Sequence, residues 1–555
     1  MDLLEPEYSY KSELKEKHHQ NVLDAFEELT KSSGVDIASN KATCTKYYAE
    51  ENKLATLNKK AKRMKALKVF LIILCFLIIG IPFYFALFRP KYKALNSSIA
   101  EQANVVKAIK DEAYAQMAAL NRLFDSNCAS KLMEKTVPLI QMDRIFDTKK
   151  YELMREKFGF WDNEDEERST LDLQSGTILG NPFVFFKDLK KDIVMHRYEG
   201  RIVISYSVGI GKNRRTVTQT LVAHVDKPKP EYSKETYLVY CNEAADRLSF
   251  SREPSNINSM DEKQIEKYVR KHEGDLQKMA EKATKKGGTY TPLGNSEFEL
   301  FFGGLDRDNE IEYRLLFTPL AQKSMLGLMK SKVGYGDDFS FKKIKGVNVI
   351  QSRHSQGDSL FMHAENFAGF DYEVMKENFV TYNDNFFKSV FFDFAPLLSI
   401  PLYQQHKAHE YIYKNNVPSN FVCFEHEILA NRFDPKRFAD KETDTEIILK
   451  TSLVKKAGEE DIITVTGHSY KAVPRVETVM KLGGDGRLHA VPVPWTEYIP
   501  LEGEDVISVS DLGLDNEIKF RGLNQNGVIY ANGLVSTSTD VNVDINYLKS
   551  LMAKD

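Results

Sequence analysis

A chain of 555 residues is too long for one ordinary domain, and 42% hydrophobic with 28% charged residues is globular rather than disordered composition. The formal net charge of -3 lacks the basic surplus that marks a nucleic-acid binder, so no nucleic-acid partner is expected. Cys44, Cys75, Cys128, Cys241 and Cys423 are scattered and contain no CxxC, so neither a zinc ribbon nor a disulfide framework is supported.

Residues 1–58 read as a polar helical segment, with Leu14, Val22, Phe26 and Leu29 at helical spacing and a break at "SSGVDIASN". This segment suits a small helical hairpin or docking element, or equally a loosely packed tail. A basic juxtamembrane stretch, residues 59–68, leads into Val69–Phe88, twenty residues without a charge. At about 1.5 Å per residue such a run reaches about 30 Å, the thickness of a bilayer core, and predicts a single transmembrane helix. Lys59, Lys60, Lys62, Arg63, Lys65 and Lys68 precede it, and Arg89, Lys91 and Lys93 follow. The excess on the N-terminal flank predicts a cytoplasmic N-terminus, an extracellular C-terminal region and attraction to a lipid bilayer carrying anionic headgroups.

Residues 89–130 are expected to form a helical neck. Leu95, Ile99, Gln102, Val106, Ile109, Ala113, Gln116, Leu120 and Leu123 trace an alternating coiled-coil seam with two polar interruptions. Such a seam suits a self-associating stalk, but the two glutamines favour packing on the chain's own downstream domain.

An α+β domain is expected over 131–380. "RIVISYSVGI" and "RTVTQTLVAHV" alternate with period two around "GKNR" and predict a hairpin. "SMDEKQIEKYVRKHEGDLQKMAEKATKKGG" carries helix start and stop signals. "EFELFFGG" and "EIEYRLLF" read as strands, and "PLAQKSMLGLMKS" as a helix opened by Pro319. A broken apolar helical connector follows at 381–415, interrupted by Asp393, Pro396 and Pro401, and then a β-rich part at 416–555 with a hairpin tip at "GGDGR". The fold class expected is therefore α+β with antiparallel sheets, one transmembrane helix and a helical neck.

Few residues suggest chemistry. Gly209 and Gly211 lie between two strands, so they read as a turn and not as a phosphate loop. Asp306, Asp308 and Glu310 crowd carboxylates that could hold a hard cation but lack EF-hand spacing, and Asp337 and Asp338 read as a solvated loop. The weak metal candidates are His406, His409, His426 and Glu427, near Glu410, Cys423 and Glu425, without a recognised ligand spacing. Ser352, His354, Ser355 and Asp358 crowd one short stretch, whereas catalytic partners converge from distant ones, so a polar loop is the expectation. No cofactor is expected.

"NSEFELFFGGLDRDNEIEYRLLFTPLAQKSMLGLM" resembles a bacterial membrane-protein domain of unknown function. With "MAALNRLFD", "KTVPLI", "STLDLQSG" and "FAPLLSIPLYQQ", residues 110–410 resemble an uncharacterised family of single-pass proteins from wall-less bacteria and their Gram-positive relatives. The resemblance implies a bacterial cell membrane and no particular activity. The sequence as a whole predicts a membrane-anchored, non-enzymatic interaction or structural protein with unknown protein partners. A membrane-anchored hydrolase, with or without a metal, and a ligand-sensing ectodomain are the alternatives.

Overall fold

The computed structural model describes residues 3–75, 88–124, 128–143, 146, 148–160, 166–209, 211, 214–332, 334–356, 367–405, 424–457, 460–511, 528–531 and 534–537. Helices α1 (Lys15–Ser33), α2 (Ile37–Cys75), α3 (Arg89–Asn121) and α4 (Cys128–Thr136) come first. Strand β1 (Ile140–Met142) and α5 (Thr148–Phe158) precede β2 (Arg168–Ile178), β3 (Asn181–Val208), β4 (Arg215–Cys241) and β5 (Ser249–Arg252). Then follow α6 (Glu262–Lys285), α7 (Ser296–Phe302), α8 (Glu310–Leu316), α9 (Pro319–Lys330), β6 (Ser340–Ile344) and β7 (Val347–Gln351). The chain continues with α10 (Tyr372–Leu398), α11 (Pro401–Gln405), α12 (Phe424–Ala430), β8 (Ile448–Ala457), β9 (Glu460–Leu482), β10 (Leu488–Asp511), β11 (Val528–Ala531) and β12 (Leu534–Thr537). The architecture is α+β with antiparallel sheets.

Two compact units divide the chain, one of residues 1–9, 139–361 and 389–555, the other of 10–138 and 362–388. In the helical unit, Gly34 at φ 65° ends α1 by donating its N–H to the Lys31 carbonyl, and α2 begins after the Asp36 cap. Phe26 of α1 meets Tyr372 and Phe379 of α10 at 5.6 and 5.3 Å, so the spacing of Leu14, Val22 and Phe26 does mark a buried face. Gln102 and Gln116, the two interruptions of the α3 seam, both bond to α2. Gln102 donates to the Glu50 carboxylate at 2.7 Å and Gln116 to Thr43 Oγ1 at 3.0 Å. Both polar positions of the seam thus pack against the upstream, antiparallel helix α2, where a downstream domain was expected.

The sheet unit holds a seven-stranded sheet in the order β1-β2-β3-β4-β7-β6-β5 and a five-stranded sheet in the order β11-β12-β10-β9-β8. Their apolar faces share a core. Val184, Phe186 and Val239 of the first sheet meet Leu449, Ile463, Val465 and Ile507 of the second, with Tyr151, Phe424 and Ile428 between them. Residues 424–511 consequently do not stand apart as a C-terminal domain.

"DIITVTGH" with "ETVMKL" and "HAVPVP" with "DVISVS" each fuse into one strand, β9 and β10. Past their sheets, β3–β4 and β9–β10 run on as two-stranded ribbons, stacked through Leu221, Ala223, Val225, Val491 and Val493. Gly200 permits this stacking, since an added Cβ would collide with the Pro492 carbonyl oxygen. Gly486 at φ 73° makes the "GGDGR" turn as expected.

"EFELFF" and "EIEYRLL" are helices, α7 and α8, and not strands. Asn295 and Asn309 cap them by accepting from the Phe298 and Glu312 N–H groups, and acids fill both first turns. Phe298, Phe301 and Phe302 then share one buried face at helical spacing. The apolar connector is the broken helix expected, α10 followed by α11 after a break at Ser399–Ile400. Of the predicted transmembrane helix, residues 76–87 lie outside the described residues; among those described, no helix is long and apolar enough to cross a membrane.

Candidate functional site

The "SRHSQGDS" stretch follows β7, and His354 there meets partners from two distant segments. Its Nδ1 donates to Asp337 Oδ2 at 2.8 Å and its Nε2 to the Ser389 carbonyl at 3.0 Å, with Asp393 Oδ1 at 3.4 Å. Burial opposes the imidazolium, but Asp393 and Asp337 more than offset it and push His354 up to about 9. Burial likewise pushes Asp393 up to about 6, against the pull of His354. Asp337 is held below the ordinary carboxylate range because His354 outweighs its own burial.

Beside this cluster Arg252 pairs with Asp338, both side chains wholly buried, and the guanidinium lies 4.8 Å from the Phe339 ring centre. Asp337 and Asp338 are therefore not a solvated loop. With both ring nitrogens donating, His354 has no lone pair left to take a proton from Ser352 or Ser355. The arrangement clamps β7 to α10 and does not form a catalytic triad. Asp358 lies outside the described residues.

The acidic turn also has a structural task. Asp308 and Asp306 accept the Ser249 and Ser251 N–H groups at 2.7 and 2.9 Å, capping the outer edge of β5. Glu310 and Glu299 hold the fully buried Arg307 guanidinium at 2.8 and 2.7 Å. Of the metal candidates, His406 and His409 lie outside the described residues. His426 and Glu427 are buried on α12, where Glu427 pairs with Lys450 at 3.1 Å and accepts the Thr170 N–H. Burial lifts Glu427 to about 6, against the pull of Lys450. Among the described residues no group of three or more His, Cys, Asp or Glu could hold a metal ion.

A cleft of about 320 Å³ lies on one face of the seven-stranded sheet. Phe186, Tyr237 and Phe424 make its apolar wall, with Arg168, Asp188, Glu235 and Lys342 around it. Arg168 lies 3.3 Å from Glu235 and 5.6 Å from the Tyr237 ring centre, and the Tyr237 hydroxyl donates to Asp188 Oδ2 at 2.6 Å. Asp188 Oδ1 is buried without a hydrogen bond, and burial raises this carboxyl above its ordinary range. Sequence reasoning missed the cleft because its residues alternate along strands as any half-buried face would.

The helical unit carries a second arrangement. Gln116 bonds to residues 39–43 of α2, and Gln102 to Glu50. Extended turn for turn, this register sets Arg89, Lys91 and Lys93 of α3 opposite the Lys59–Lys65 stretch of α2. Ala61 and Leu95 are buried among exposed neighbours, as continued contact at that level requires. Lys59, Lys60, Lys62, Arg63, Lys65, Arg89, Lys91 and Lys93 are all exposed, and the side chain of Lys68 lies outside the described residues. The two basic flanks are thus neighbours in space, at the ends of α2 and α3 that adjoin the apolar run.

The chain matches no protein-family model, no curated protein and no solved structure. The resemblance to a bacterial single-pass family stays an expectation.

Proposed function

We propose that the protein is a non-enzymatic interaction or structural protein held on a bacterial membrane through its apolar run, with the basic stretches 59–68 and 89–93 on the same side of the bilayer. The observation that carries this reading is the antiparallel pairing of α2 with α3. A helix crossing the bilayer separates its flanks by about 30 Å of hydrocarbon. The bond from Gln102 to Glu50 at 2.7 Å supports flanks on one side instead. All nine flanking cations then fall on one side, and the positive-inside tendency makes it the cytoplasmic side, together with the sheet unit. This reading differs from the crossing expected from the six-to-three charge count, which assumed that the flanks face opposite solvents.

Labelling of intact cells with a membrane-impermeant thiol reagent tests the topology. Cysteines replacing Lys31 and Lys107, both exposed, are expected to be protected together and to react together after lysis. Reaction of Lys107→Cys alone in intact cells overturns the reading and restores the crossing helix.

Ligand sensing is a second reading, favoured by the cleft with its unbonded Asp188 oxygen. A small cationic compound that raises the melting temperature of the parent but not of Asp188→Asn supports it. A screen of such compounds that shifts neither protein removes it.

A further inference from the structure

The two stacked ribbons differ on their outer faces. On β3–β4 the outward residues mix Arg197, Glu199, Arg201, His224 and Asp226 with the exposed Ile193, Met195 and Val203, and Arg197 binds Asp226 at 2.9 Å. On β9–β10 the outward cross-strand pairs are Val476 with Pro494, Thr478 with Pro492, Met480 with Ala490 and Leu482 with Leu488. All eight residues are exposed and none is charged. Val476 is 66%, Met480 53%, Leu482 66% and Leu488 63% exposed. An apolar strip of this size on a strand face is uncommon unless something covers it.

From this strip we infer that β9–β10 is a self-association surface, and that its occupant is the same face of a second copy of this chain. Area carries the argument. The eight residues offer roughly 600 Å², so two faces in contact bury about 1,200 Å², enough for a specific interface. An uncharged strip is complementary to itself under a two-fold axis, because no like charges are brought together. Sheet stacking also matches what the inner face of the same ribbon already does against β3–β4. Pro492 and Pro494 offer no N–H to a further strand, so addition through the edge of β10 is disfavoured and the face is left as the contact.

Sedimentation velocity of the full chain in mild detergent, from about 1 to about 100 μM, tests this at the affinities typical of a small interface. A monomer–dimer equilibrium is expected. The double variant Met480→Lys/Leu488→Lys should weaken it by about 100-fold or more, because each interface then buries four unpaired ammonium groups. Val203→Lys, on the mixed outer face of β3, should leave it unchanged, and circular dichroism confirms that both variants fold. A monomer at every concentration overturns the inference, as does association that persists in the double variant. Loss of vesicle binding by the double variant without a change in mass overturns it too, and assigns the strip to lipid.

Discussion

The sheet unit and the helical unit treat charge in opposite ways. The sheet unit buries Arg252 against Asp338 and Arg307 against Glu299 and Glu310, and half-buries His354 against Asp337 and Asp393 and Lys450 against Glu427. The ends of α2 and α3 instead expose two cation clusters beside each other. A buried ion is tolerated only when its partner stands next to it. Crowded exposed cations repel one another and are stabilised by an anionic surface from outside. Buried charge here fixes the positions of strands and helices, whereas exposed charge is offered to a partner.

Breaking a buried pair should have the largest effect. Arg307→Met leaves Glu299 without its cation and Glu310 with only Arg314, at 3.8 Å, in a site where Arg307, Glu299 and Glu310 are nearly or fully inaccessible. Removing one member of such a cluster costs about 3–5 kcal/mol. A lower urea midpoint for the sheet unit is the readout, and Arg307→Met/Glu299→Gln should recover part of the loss. A midpoint unchanged by Arg307→Met would show that the triad holds nothing in place.

The His354 cluster makes a smaller, pH-dependent contribution. His354 stands at about 9 in the folded chain against an ordinary 6.5. The fold therefore holds a proton that the unfolded chain releases between those values. Its stabilisation is fully present below pH 6.5 and is lost as pH rises through 9, by up to about 3 kcal/mol. Denaturation of the parent should become easier across that window, and His354→Gln should flatten the dependence. Equal slopes in both proteins would contradict the clamp.

What the sequence disclosed follows the range of the interactions involved. The hairpin at "GKNR", the helix from Glu262 to Lys285 with its Asp261–Gln264 capping box, and the connector broken before Pro401 rest on neighbouring residues, and they were legible. "EFELFF" was misread because six residues rich in Phe fit either period, and only the Asn295 cap decides. His354 was dismissed with its neighbours in sequence, while its true partners lie 17 and 39 positions away. One clue was present: Asp393 inside "FFDFAP" is a carboxylate in an apolar helix and needs a cation from elsewhere. The basic residues on either side of the apolar run are visible in the sequence, but their being neighbours depends on the pairing of α2 with α3, which no local pattern encodes.

The exposed cations predict an intermediate effect on binding. Lys62→Glu and Lys91→Glu lie on opposite arms, so if both arms face the same leaflet each should weaken flotation with anionic vesicles to a similar degree. At about 1 kcal/mol for each basic residue near the surface, loss of one positive charge alone lowers affinity about fivefold, and the added negative charge lowers it further. Neutral vesicles should not separate the variants from the parent. A loss confined to Lys62→Glu would mean that only the α2 arm reaches the membrane.

The smallest effect bears most directly on the helix pairing. Gln102 donates to both the carbonyl and the carboxylate of Glu50, at 3.2 and 2.7 Å, from a seam position where a heptad calls for an apolar residue. Replacement by Leu exchanges two hydrogen bonds for a better apolar contact, and the net change in stability should stay within about 1 kcal/mol. Specificity should respond more than stability. With Gln102→Leu and Gln116→Leu together, the α3 seam is apolar throughout and suits a parallel partner as well as it suits α2. The double variant should therefore populate higher oligomers through α3, detectable as crosslinking between introduced Lys107→Cys side chains of different copies. If the double variant crosslinks no more than Lys107→Cys alone, the two glutamines do not select α2 over a second copy, and the pairing must be fixed by Ala61, Leu95 and the connection itself.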